Sequence, residues 1–293
     1  MSNHTVKGRK IRVIVLVLCL SLAIISCRNQ ITSSDKSDDG RMYVDFIDVG
    51  KGDCILIRSG GKTFLIDTGY EETVDTVVQY LRTREVSQID GMILTHFDKD
   101  HIGGAKDILK NFTVSQVYMP QYEDTGNKYA KFKEYVDEHM PQIITYVTED
   151  RTIRTGGMEI FINAPKQSTY KQENDYSLVT KITHGEDTYL FAGDAEKKRI
   201  KELLEKDFID ADILKLPHHG AIEDNSVQFL EAVSPKYVIS TSLTEADTDQ
   251  MIKDKVTDMG NQNEIFYTCN GTVTCVSDGK RNYEMKGNEN KGN

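Results

Sequence analysis

The chain has no tryptophan, few cysteines, a deficit of basic residues and only one long apolar run. The missing tryptophan does not starve the core, because 38 % hydrophobic and 28 % charged residues over 293 positions are ordinary values for a globular protein. This length suits one large domain or two small ones, and no repeat or low-complexity block breaks it up. Of the five cysteines, Cys19 and Cys27 lie near the N-terminus, leaving Cys54, Cys269 and Cys275, so a disulfide framework is not indicated. Asn270-Gly271 reads as a two-residue hairpin turn. In that register Cys269 faces Thr272, and Cys275 falls on the other face of the sheet, which argues against pairing of the two. The net charge is −10. Without residues 1–26, which hold four basic residues and no acid, 32 basic residues face 46 acidic ones, giving −14. Such a surface repels nucleic acid and anionic lipid at long range. That counts against a high-affinity DNA binder but not against an enzyme whose contacts with its substrate are local and metal-assisted.

The one long apolar run, residues 13–25, follows a basic stretch at 7–12 and is short for a membrane span. It ends in Ile24-Ile25-Ser26-Cys27, which resembles a bacterial lipoprotein cleavage box whose cysteine is lipidated. The expected organisation is a signal peptide over 1–26, a lipidated Cys27 with a flexible tether to residue 40, a folded domain over 41–285 and a polar tail over 286–293. The domain is expected outside the cytoplasm, held to the membrane by its lipid; a secreted or signal-anchored form is the alternative. No protein partner is legible.

Within the domain, strand-like runs at 42–49, 53–58 and 63–67 precede a helix over 72–83, where Val74, Val77, Val78 and Leu81 have helical spacing. Gly91 to Thr95 reads as a buried strand delivering His96. Helices are expected near 102–110, 127–139, 195–205 and 248–258. Strands are expected near 114–118, within 143–163, at 177–183, 187–192, 211–216 and 236–240. A mixed sheet pair between helices would gather the ends of these strands at one edge.

The run His96-Phe97-Asp98-Lys99-Asp100-His101 offers four metal-ligand side chains within six residues, and imidazole and carboxylate suit zinc, manganese or iron. An exposed acidic loop with Asp100 as a helix N-cap would give the same run. An EF-hand does not fit, because position 12 counted from Asp98 is Leu109. Gly103 and Gly104 allow a tight turn close to the site. Of seven histidines, His96, His101, His218 and His219 all fall at expected strand ends, as do Asp67 and Asp194. His4, His139 and His184 read as bystanders.

Taken together, these motifs resemble the ComEC-type hydrolases of the metallo-β-lactamase fold. Asp48-Val49-Gly50-Lys51-Gly52-Asp53 is similar to their opening motif, Leu65 to Gly69 to their first site motif and Thr95 to Gly104 to their metal motif. Asn174-Asp175-Tyr176-Ser177, Phe191 to Asp194 and Leu214 to Gly220 complete the order over residues 42–278. The resemblance implies an α/β fold, the αββα sandwich of two mixed sheets flanked by helices, and two divalent ions, zinc or manganese. His96 and Asp98 would help hold the first ion. Asp100, His101 and one of His218 and His219, with His219 favoured, would hold the second, and Asp194 would bridge. Asp67 and Asn174 would support the ligands. Asp98 and Asn174 stand where the wider fold carries histidines, which makes the first site oxygen-rich and weak. The late Asn-x-Tyr-x-His-Pro element of ComEC is replaced after Ser240 by Thr241 to Asp247.

The implied chemistry is phosphodiester hydrolysis by a metal-activated water, with Asp100 or Asp194 taking up a proton and His218 contacting the substrate. The substrate would be nucleic acid, a nucleotide or a cell-envelope phosphodiester. Two alternatives stand beside it: hydrolysis of a lactone, thioester or β-lactam on the same scaffold, and a surface binding protein with a structural metal site.

Overall fold

The computed structural model describes residues 39–260 and 264–287. The expected signal peptide, Cys27 and most of the tether lie outside them, as do residues 288–293 of the tail. Among the described residues no helix is long and apolar enough to cross a membrane.

In chain order the strands are β1 (Met42–Phe46), β2 (Ile55–Ser59), β3 (Lys62–Ile66), β4 (Gln88–Ile89), β5 (Gly91–Ile93), β6 (Thr113–Val114), β7 (Val117–Met119), β8 (Ile144–Tyr146), β9 (Arg151–Thr155), β10 (Met158–Asn163), β11 (Val179–His184), β12 (Asp187–Phe191), β13 (Ile213–Lys215), β14 (Tyr237–Ser240), β15 (Glu264–Tyr267), β16 (Val273–Ser277) and β17 (Tyr283–Lys286). The helices are α1 (Val74–Thr83), α2 (Lys99–Ile102), α3 (Ala105–Asn111), α4 (Asn127–His139), α5 (Lys197–Leu203), α6 (Ser226–Val233) and α7 (Gln250–Asp258). One sheet has the order β17-β16-β1-β2-β3-β5-β7-β8, the other β15-β14-β13-β12-β11-β10-β9, and β4 pairs with β6.

Side-chain alternation builds the layers. Ile55 and Ile57 of β2 join a core that also contains Tyr189 and Phe191 of β12, between the sheets. Leu56 points the other way, into a core shared with Val77 and Leu81 of α1 and Phe132 of α4. Leu190 of β12 and Leu214 of β13 likewise turn outward, onto Phe229 of α6 and Ile252 of α7. The result is helix, sheet, sheet, helix: the αββα sandwich. Each sheet has a parallel part, β3-β5-β7-β8 and β12-β13-β14-β15. Loops leaving the carboxyl ends of parallel strands carry the site, as is general for α/β sheets.

Two expectations need correction. Asn270-Gly271 does not turn a hairpin, because β15 belongs to one sheet and β16 to the other. A short 3-10 turn at Thr268–Asn270 and Gly271 at φ 113° carry the chain across. The glycine does adopt a positive φ, but local turn chemistry cannot say which sheet the next strand joins. Cys269 therefore does not face Thr272 across a ladder; Cys54, Cys269 and Cys275 are free thiols. The helix expected near 102–110 is two helices, parted at Gly103-Gly104. The reason for Gly103 is close approach rather than φ: a Cβ there would lie 2.6 Å from the Glu71 amide nitrogen and 2.8 Å from the Gly69 carbonyl.

Behind the second sheet, Glu202 of α5 accepts from Tyr170 Oη at 2.7 Å, Gln167 Nε2 at 3.0 Å and the Lys166 amide at 3.2 Å. Burial alone would raise its pKa; these bonds outweigh burial and hold it below the ordinary value. A carboxylate depressed on folding stabilises above its unfolded pKa, about 4.3, and that contribution is lost as pH falls through the folded value. Wild type should thus unfold at a higher temperature than Glu202→Gln at neutral pH. The gap should close below pH of about 4; a gap independent of pH would show that charge plays no part.

Candidate metal centre

The metal-motif loop leaves β5 and enters α2. It is stitched to its surroundings by backbone bonds: Asp53 N to Asp100 O at 3.1 Å, Thr68 N to His101 O at 2.8 Å and Leu178 N to Thr95 O at 2.9 Å. The last of these joins the two halves of the chain at the site. The Phe191-Ala-Gly-Asp194 corner follows β12, and His218 N bonds Gly193 O at 3.2 Å. Asp67, His218 and His219 all adopt positive φ, 55°, 47° and 55°. That conformation costs energy in residues with a Cβ and persists where the surroundings impose it, often at functional sites.

These loops bring Asp100, His101, Asp194 and His219 together, with one ligand atom from each all within 4.8 Å of one another. Asp194 Oδ2 lies 3.2 Å from His101 Nε2 and 3.0 Å from His219 Nε2. His219 Nε2 is also 3.5 Å from Asp100 Oδ2. His96 packs its ring 4.1 Å from that of His101, and its Nε2 is 3.8 Å from Asp98 Oδ2. His96 and Asp98 are thus a neighbouring pair rather than members of the four-residue group, and the Asp98 side chain is 40 % exposed. His218 lies apart from that group, its Nδ1 3.7 Å from Glu196 Oε1 and 3.6 Å from Glu223 Oε1. Asn174 donates from Nδ2 to Glu196 Oε1 at 2.9 Å. The N-cap of α2 is Asp98, not Asp100. His139 is an exposed helix end whose Nδ1 meets Tyr135 O, and His184 closes β11 as a buried residue.

The donors fit a divalent ion. Nε2 of His96, His101 and His219 are all buried and have no hydrogen-bond partner, a costly state for a polar atom unless something else takes the lone pair. On the far edges of two rings the nitrogens are committed. His101 Nδ1 meets Asp67 Oδ2 at 2.8 Å. A carboxylate only accepts, so that nitrogen carries the proton. Thr95 gives its one hydroxyl proton to Asp67 Oδ2 at 2.7 Å, so His96 Nδ1, 3.0 Å from Thr95 Oγ1, must donate to that hydroxyl oxygen. Asp67 thereby sets the tautomers of two imidazoles and leaves their Nε2 atoms free.

The charges are tightly coupled. Burial opposes ionised His101, but Asp194 and Asp67 override it and raise its pKa well above the ordinary imidazole value. Burial, then the neighbouring His101, pushes His96 well below it. Burial also disfavours ionised Asp194, yet His101, His219 and Lys215 together hold it well below the usual carboxylate range. Asp98 is raised to about 6 by burial and then by Asp100. Burial pushes Asp100 up, but the nearby His219 and His101 together outweigh it and lower Asp100 to about 2. A cluster of this kind is a site for a cation of higher charge than a proton. Replacing Asp67 with Ala should weaken metal affinity about 10- to 100-fold, measured by chelator competition; unchanged affinity would show the ligands are fixed without it.

Several neighbours escaped the sequence reading: Lys215, fully buried with Nζ 2.5 Å from Asp53 Oδ2; Thr241; and the two glutamates facing His218. Lys215 did leave a signal, as a charged residue in the apolar run Ile213-Leu214-Lys215-Leu216.

The fold and this centre define the class. The chain belongs to the metallo-β-lactamase superfamily, whose family model matches residues 47–239, a superfamily of metal-dependent hydrolases. Among curated relatives it is similar to Recombination protein 2 of Haemophilus influenzae, 27 % identical over 252 residues, which is 83 % of this chain and 29 % of that protein. ComE operon protein 3 of Bacillus subtilis is 26 % identical over 215 residues, 67 % of this chain and 28 % of the relative. Competence protein ComA of Neisseria gonorrhoeae is 28 % identical over 198 residues, 67 % and 26 %. The chain spans less than a third of the length of these relatives, which bear out the ComEC-type resemblance at modest identity. Of solved structures, the diiron β-hydroxylase CmlA of Streptomyces venezuelae superposes with a TM-score of 0.53 at 16 % identity, covering 80 % of this chain and 53 % of CmlA. The metallo-β-lactamase fold protein YhfI of Bacillus subtilis gives 0.51 at 14 %, covering 78 % and 96 %. At these identities the two structures speak for the fold alone.

Proposed function

We propose that this protein is an extracytoplasmic metal-dependent phosphodiesterase. The observation that carries the hydrolase reading is the set Asp100, His101, Asp194 and His219, with the unpartnered Nε2 atoms of His101 and His219 directed into it. In this reading Asp194 Oδ2 lies between the two imidazoles, and His96 with Asp98 forms a weaker, oxygen-rich second position. Zinc or manganese suits the donors. An ion bound there supplies Lewis-acid polarisation of a phosphoryl oxygen and lowers the pKa of a water.

The chain's own residues do the rest. Asp100 and Asp194 are carboxylates beside the reacting position that can take up a proton. His218 is about a quarter exposed while its Nδ1 is buried beside Glu196 and Glu223. Its other ring nitrogen is then the group to meet a substrate phosphate and protonate the leaving oxygen. Asp98 and Asn174, in place of histidines, favour phosphate chemistry over the three-histidine zinc chemistry of β-lactam opening. A relative named for recombination supports nucleic acid or nucleotides as the substrate class. The charge of −14 beyond residue 26 favours a short nucleotide or a cell-envelope phosphodiester over duplex DNA.

The deciding assay is hydrolysis of bis-p-nitrophenyl phosphate by the purified protein, stripped of metal and reloaded with zinc or manganese, beside nitrocefin. Metal-dependent turnover of the phosphodiester alone is the expected result. Turnover of nitrocefin alone would replace the reading with a non-phosphate hydrolase; tight metal binding without turnover of either would favour a binding protein. The location rests on Cys27: Cys27→Ala should release the protein from the membrane fraction, and retention there would leave a signal anchor.

A further inference from the structure

Lys215, Asp53 and Thr241 come from three separate segments and meet behind His219, all fully buried. Lys215 Nζ contacts Asp53 Oδ2 at 2.5 Å, Gly193 O at 3.0 Å and Asp194 Oδ1 at 3.4 Å, which occupies its three protons. Asp53 is fixed on both sides by this, since its remaining oxygen, Oδ1, accepts from Thr241 Oγ1 at 2.6 Å. Thr241 Oγ1 in turn lies 3.0 Å from His219 Nδ1. A hydroxyl has one proton, and that of Thr241 is given to the carboxylate. Its contact with His219 can only be a bond donated by Nδ1–H. Asp53 Oδ1 is itself 3.6 Å from Nδ1, too far to take the proton directly.

We propose that Asp53 and Thr241, with Lys215 behind them, form a relay that holds His219 in the tautomer protonated on Nδ1 and so aims its Nε2 lone pair at Asp194 and Asp100. The inference rests on the metal-dependent reading above. The same device occurs in the first half of the chain, where Asp67 and Thr95 act on His96 at 2.7 and 3.0 Å. The site thus holds two matching aspartate–threonine–histidine chains, with the threonine after β5 in one and after β14 in the other. In the second, Lys215 also binds Asp194 Oδ1, which leaves Oδ2 as the oxygen facing the imidazoles. All three are positioning residues: they act on the ion through His219 and Asp194.

The relay predicts a graded result that packing alone would not produce. Thr241→Val keeps the shape and removes the acceptor, and should weaken zinc binding about 10- to 100-fold. Thr241→Ser restores the hydroxyl and should recover wild-type affinity to within about threefold. Affinities are measured by chelator competition on the whole protein, with His219→Ala as reference. If Thr241→Val binds zinc like wild type while His219→Ala loses it, the relay is wrong and the metal centre stands. If His219→Ala also binds like wild type, the metal reading fails and the relay with it. A second measurement needs no variant: in the zinc-loaded protein labelled with 15N-histidine, long-range correlations should show His219 protonated at Nδ1. A proton on Nε2 would overturn the proposal.

Discussion

Asp194→Asn should lower metal-dependent phosphodiester turnover by about a thousandfold or more, equivalent to about 4 kcal/mol of transition-state stabilisation, with little change in fold. The substitution is nearly isosteric. Its amide oxygen can stay with Lys215 Nζ, which lies 3.4 Å from Asp194 Oδ1. The amide NH2 then faces His101 and His219, whose Nε2 atoms are 3.2 and 3.0 Å from Oδ2. Three nitrogen groups around one point leave no anionic donor between the imidazoles, and a divalent ion loses the ligand that joins them. Metal content, measured by mass spectrometry after dialysis, should fall in parallel with turnover. Activity within about threefold of wild type would remove Asp194 from the centre, because loss of metal catalysis costs orders of magnitude.

The layered fold was largely legible because period-2 and period-3.6 patterns are set by the same burial that forms the layers. Val74, Val77, Val78 and Leu81 fixed α1, and α4 falls on the expected 127–139, with Tyr129, Phe132 and Val136 as its buried residues. Strand partners were not legible: Asn270-Gly271 carries hairpin chemistry, yet the chain changes sheet there. At the site, residues that bear chemistry in one short run, from His96 to His101, stood out by spacing. The division between His96 with Asp98 and the rest did not follow from spacing and was implied only by the family resemblance, since it depends on where Asp194 and His219 arrive from the other half. Asp53, Lys215 and Thr241 were hidden for the same reason. Asp53 and Thr241 look ordinary in their own segments, Lys215 shows only as a charge in an apolar run, and all three acquire a role only where three loops meet.

Arg199 shows how the supporting structure and the centre are linked, and Arg199→Met should destabilise the protein by about 3–5 kcal/mol. The side chain is fully buried. Its Nε donates to Ser177 O at 3.0 Å, Nη2 to Asn163 O at 2.9 Å and Oδ1 at 2.6 Å, and Nη1 to Glu202 Oε2 at 3.2 Å. Burial pulls its pKa down and Glu202 opposes that, so the pair is held by partners rather than by water. Methionine fills much of the same volume but strands these oxygens, including a charged carboxylate, away from solvent. The expected loss corresponds to a fall in unfolding temperature of roughly 6–20 °C for a domain of this size. Arg199→Lys should fall between, since it keeps the charge and loses the fork. The effect should also reach the centre, because Ser177 is the next link: its Oγ accepts from the Asp194 amide at 3.2 Å. Urea unfolding of the variants with and without zinc separates the two parts. A loss below about 1 kcal/mol would mean that water replaces the guanidinium. Full destabilisation with unchanged metal affinity would mean that the Ser177 contact does not hold Asp194 in place.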